Sequence, residues 1–123
     1  MKLNQWMVAK AIVVAVFGIG FVLVPVFVAS IYGMSLDAAG ALMARLFGAA
    51  FIFEGIVLWF AKSGAISEKP VRGLVIAVVV SNAIGVIVTL LATLSGVWNA
   101  LGWLSVGLYL VFGLGFAYFL FKK

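Results

Sequence analysis

Cysteine and histidine are both absent from the sequence. Without cysteine there is no disulfide, thiolate nucleophile, iron–sulfur cluster or thiolate zinc site. Without histidine, the usual axial ligand of haem, the usual zinc and copper ligand and the side chain that titrates near neutral pH are gone as well. No metal site and no cofactor is therefore expected. No nucleotide-binding loop or catalytic triad occurs, and most hydrolytic schemes fail without His or Cys, so the expectation is a non-enzymatic protein.

Charge is the second shortage. Charged residues are 9% of the 123 and hydrophobic ones 67%, too little charge to cover a soluble domain of this length. The apolar residues fall into four blocks of about twenty, each enough to span roughly 30 Å of hydrocarbon as a helix. The sequence thus predicts an all-α fold: a single polytopic domain over residues 1–123, a membrane four-helix bundle. Its helices are expected near residues 11–32, 41–61, 71–94 and 98–121. A cleaved signal peptide competes for the first block. Its apolar core is longer than the usual signal, and no clear small-x-small site follows, which favours a retained helix. Pro25 should kink that helix, and Pro70 suits the first turn of the third. Ser95 and Gly96 leave room for a tight turn, making the last two helices an antiparallel hairpin.

The net charge of +5 belongs to topology and not to nucleic-acid binding. Lys2, Lys10, Lys62, Lys69, Arg72, Lys122 and Lys123 all fall on one side of a four-span chain. The positive-inside rule makes that side cytoplasmic, with both termini inside. Lys122 and Lys123 read as a cytoplasmic stop. Trp6, Trp59 and Tyr118 would then sit near the inner interface, and Tyr32, Trp98 and Trp103 near the outer one. Arg45, about one turn inside the second helix, is expected to snorkel outward, with Asp37 as a candidate partner.

Lipid is as apolar as leucine, so the helices must associate by close packing and interhelical hydrogen bonds. Small residues at helical spacing supply the faces. They are Gly73, Ala77, Ser81, Gly85 and Thr89 in the third helix, and Ala41, Ala44, Gly48 and Gly55, with Phe51 in the gap, in the second. In the fourth they are Gly102, Ser105 and Gly113, with Tyr109 between them. Plain helix packing at Gly48, Gly55, Gly85, Gly102, Ser105 and Gly113 is the favoured reading, ahead of a substrate path.

One side chain demands a partner or a use: Glu54, about 10 Å inside the second helix. An ionisable group in mid-span costs about 2.5–3.5 kcal/mol on insertion scales. Asn82 and Ser81 lie at similar depth in the third helix, and a Glu54–Asn82 contact is the preferred pairing. Glu54 is either a coupling or ligand-binding carboxyl or a structural polar contact that sets helix register. Asn99 is placed to cap the fourth helix.

The stretches ARLFGAAFIFEGIVLWFAKS, SNAIGVIVTL and WNALGWLSVGLYLVFGLGFAYF resemble small four-helix inner-membrane proteins of bacteria, themselves loosely similar to the DoxX-like group. The resemblance covers three of the four helices and implies a bacterial inner membrane. In size the chain also resembles small multidrug-resistance transporters, but their carboxyl belongs to the first helix, which here has none.

Three functions follow. The leading one is an accessory or assembly subunit, its partners being the bilayer and another membrane subunit. The second is a homo-oligomeric transporter of a small molecule or ion that uses Glu54. The third is a lipid- or quinone-handling protein with polar groups at the inner loop, namely Ser63, Ser67, Glu68 and Arg72. No nucleic-acid partner is expected.

Overall fold

The computed structural model describes residues 2–64 and 68–121. Lys122, Lys123 and Ser67 lie outside them. The described chain forms α1 (Leu3–Leu23), α2 (Pro25–Ile31), α3 (Ala38–Lys62), α4 (Glu68–Leu94) and α5 (Gly102–Phe121). Four of these, α1, α3, α4 and α5, are long and apolar enough to cross a membrane. Large apolar side chains face outward on every one of them, among them Val16, Phe53, Val80 and Leu114, each more than half exposed. Such a surface is stable in lipid and not in water. The chain is a small integral membrane protein.

The first span departs from its expected limits at both ends. Its helix starts at Leu3, so Lys10 lies two turns inside it and is no longer a flank. It also breaks at Val24 (φ −137°, ψ 59°), where Pro25 cannot donate to the ladder and instead opens α2 at its first position. The break frees carbonyls at the end of α1. Arg45 Nε donates to one of them, Val22 O, at 3.2 Å. Arg45 thus serves the backbone of a neighbouring helix, while Asp37 caps α3 by accepting from Gly40 N at 2.7 Å. Gly33, at φ +80°, ends α2 in a conformation that favours glycine. The last span begins at Gly102 and not near residue 98, because residues 95–101 are spent on a turn.

Two helix pairs build the bundle. The α1 helix lies along α3 and α4 along α5, and the pairs meet chiefly through α1 and α5. Glycine sets the close approach within the first pair: a Cβ on Gly48 would come within 2.6 Å of Gly18 O, and one on Gly55 within 3.2 Å of Ala11 O. In the second pair the Tyr109 ring covers Gly85, Thr93 covers Gly102, and Gly113 lies against Asn82 Cβ. Gly73 has nothing beside it, and Ala77 and Ser81 are exposed, so only the Gly85–Thr89 end of that stripe packs inside.

The largest buried core shared by the two pairs lies in the half nearer the basic end, where α1 begins and α3 ends. Met7, Leu58 and Phe116 are fully buried there, with Ala11, Ala61, Val75, Val78 and Phe112 around them. At that end Trp6 turns inward, over Gly115 and edge-on to Phe112, away from the interface expected for it. The α3 and α4 helices share almost no close backbone contact with each other.

Candidate functional site

Lys10 is 3% exposed, the most deeply buried charge among the described residues. A lysine so close to a helix end ordinarily snorkels to water. Here its ammonium is held inside by one residue from each of the other three long helices. Glu54 Oε1 on α3 is 3.6 Å from Nζ. Asn82 Oδ1 on α4 accepts a long hydrogen bond of 3.5 Å from it. The Phe112 ring on α5 lies below it, 5.2 Å to the centroid, within cation–π range. Asn82 is oriented by its own amide, which donates to Val78 O at 2.7 Å.

This arrangement revises the pairing expected from depth alone. Glu54 and Asn82 do approach one point, but the Lys10 ammonium stands between them. Ser81 takes no part: its hydroxyl donates to Val78 O and its side chain sits on the exposed face of α4. Lys10 was passed over because its place beside the first apolar block made it look like a topology signal. The available clue was the helical run LNQWMVAKAIVV, in which residue 10 falls on the face of Met7 and Val14, both buried.

Beyond Lys10, toward the far end, the two helix pairs line a half-open chamber of about 90 Å³. Phe17 and Phe21 of α1, Phe47 and Phe51 of α3, and Tyr109 and Phe112 of α5 supply its walls. Lys10 and Asn82 are its polar floor. Its roof is Tyr32, Trp98 and Ser105, with the Tyr32 and Ser105 hydroxyls 2.6 Å apart. Tyr32 is 5% exposed, so it and Trp98 belong to this interior and not to an aromatic belt at the interface. Trp103 and Trp59 do stay about half exposed, as an interfacial anchor should.

The roof is stapled from outside by the loop before α5. Asn99 donates from its backbone to Tyr32 O at 3.0 Å and from its side chain to Ile31 O at 3.1 Å. Its Oδ1 accepts from Leu101 N at 3.0 Å, so it also steadies the turn into α5. Trp98 Nε1 meets the sulfur of Met34 at 3.0 Å. The break at Pro25 acquires a purpose in this setting: it lets α2 bend over the chamber and bring Tyr32 onto Ser105.

No protein family, curated protein or solved structure matches this chain. Its chemistry must be argued from the site alone. A buried ammonium matched by a carboxylate, facing aromatic walls, offers hydrogen-bond donation without net charge. Among the described residues there is no group of three or more acidic side chains that could hold a metal ion.

Proposed function

We propose that this protein binds a small lipid-soluble molecule inside its bundle, the reading nearest to lipid or quinone handling. One observation carries it: the chamber is apolar and aromatic throughout its middle and polar at both ends, the lining of a ligand site at a size, about 90 Å³, that suits only a small molecule. The polar groups that matter lie in this interior and not at the inner loop. Small molecules extracted from protein purified out of its own membrane provide the test, read by mass spectrometry. Leu108 also lines the chamber, so a compound should be enriched with the wild type and lost with Leu108→Trp, which fills the space. Identical extracts from the two would end the reading.

A second reading, an assembly subunit or homo-oligomer, is favoured by the small-residue face at Gly73, Ala77 and Ser81. That face is smooth, exposed and unused by the bundle itself, as expected where another membrane helix lies. Native mass spectrometry in mild detergent would reveal a stoichiometric companion, and a lone monomer would dismiss it. Transport coupled through Glu54 is given less weight, because its carboxylate has a partner in Lys10.

The setting proposed for either role is a bacterial inner membrane, with the basic end in the cytoplasm. Lys2, Lys62, Lys69 and Arg72 at that end support it. The absence of native cysteine makes the orientation easy to check. Ser63→Cys should react with an impermeant maleimide only after the cells are opened, and Ser35→Cys in intact spheroplasts. The reverse pattern would invert the topology.

A further inference from the structure

Aromatic walls of this density usually suggest a cation site, since ring faces attract ammonium groups. Here that position is already taken. The ammonium over Phe112 is the protein's own Lys10, and its charge is matched by Glu54 at 3.6 Å. We propose that the chamber selects neutral ring compounds carrying a hydrogen-bond acceptor, such as a ring ketone. The inference rests on the ligand-binding reading above and narrows it to one chemical class.

The donor count supports it. An ammonium has three protons. Glu54 Oε1 and Asn82 Oδ1 engage two of them, both at long range, so the third has only the Phe112 ring as a partner, and Lys10 lines the chamber. At the roof, two hydroxyls share a single contact, so Tyr32 and Ser105 together hold one further proton to donate. An acceptor on a neutral ligand therefore meets donors at either end of the cavity. A cation would have to approach Lys10 in a medium of low dielectric or pull Glu54 away from it. An anion would unbalance a neutral pair at comparable cost.

Three probes with one ring separate the possibilities: 4-fluoroacetophenone, 4-fluoroethylbenzene and the (4-fluorobenzyl)trimethylammonium ion. Their binding to the protein in nanodiscs is read by fluorine NMR. The ketone should bind at least tenfold tighter than the other two, and Leu108→Trp should abolish it. Lys10→Met should erase the preference for the ketone and favour the ammonium probe, because Glu54 is then the only charge. In Lys10→Met/Glu54→Gln, which restores neutrality should the single variant fold poorly, neither preference should remain. Equal binding of ketone and ethylbenzene, or a wild type that prefers the cation, would overturn the selectivity while leaving ligand binding intact. Failure of all three probes to bind in a way that Leu108→Trp blocks would overturn both.

Discussion

Glu54→Gln is expected to be the most destabilising charge substitution in the protein, lowering stability by about 3 kcal/mol, as when one partner of a buried ion pair is removed. The variant keeps the shape of the side chain and an acceptor oxygen, so the loss reports charge alone. What remains is a lysine whose side chain is 4% exposed, with only Asn82 and the Phe112 face to hold it. Lys10→Met should cost less, because Glu54 is 23% exposed and its charge is less confined. The order of the two single variants is therefore set by burial. Combining them should cost less than the sum of the two, giving a coupling of about 2 kcal/mol in a double-mutant cycle. Reversible unfolding in mixed micelles measures all four corners. Additive losses would mean that Lys10 and Glu54 act independently, and the pair could not be the anchor of the site.

The spans were readable from the sequence because lipid imposes a simple rule. Every backbone polar group must be satisfied within a helix, so length and apolarity suffice to find one. Glu54 stood out because an ionisable group in mid-span is costly, and Gly48, Gly55 and Gly85 because small residues recur there at helical spacing. Lys10 did not, because a basic residue beside an apolar block has two readings that composition cannot separate. The helix has to begin at Leu3 before residue 10 is seen to be inside it. Tyr32, Trp98 and Arg45 show a second difficulty. Each was placed by depth alone, as an interfacial or snorkelling residue, whereas their roles depend on the bend at Pro25. That bend swings Tyr32 onto Ser105 and frees Val22 O for Arg45. A proline announces a kink, but not the direction in which the following turn will lie. The chamber was illegible for a related reason: it depends on α3 and α4 standing apart, a relation between helices that no single segment encodes.

Gly48→Ala should separate α1 from α3 and destabilise the bundle by about 2 kcal/mol, the cost of overpacking a close contact. The added Cβ would lie 2.6 Å from Gly18 O, 2.9 Å from Phe21 Cβ and 3.0 Å from Val22 Cγ2. The nearest of these is backbone and cannot rotate away, so a whole helix must move. Gly18→Ala should behave alike, since its Cβ would meet Gly48 O at 2.8 Å. Because the two glycines abut each other, the double variant should lose more than either single one. Gly73→Ala and Gly107→Ala provide the contrast, as both positions have open space beside them and should change little within the isolated chain. The same helix pair positions Lys10 against Glu54 and carries Phe21 and Phe47 into the chamber wall. Gly48→Ala should consequently weaken ligand retention along with stability, whereas Gly107→Ala should spare both. Thermal unfolding in detergent, read beside the extracted small molecules, makes the comparison. A stable Gly48→Ala protein with its chamber empty would mean that the contact tunes the cavity without holding the bundle together, and that α1 and α3 are secured chiefly by the buried layer of Met7, Ala11 and Leu58.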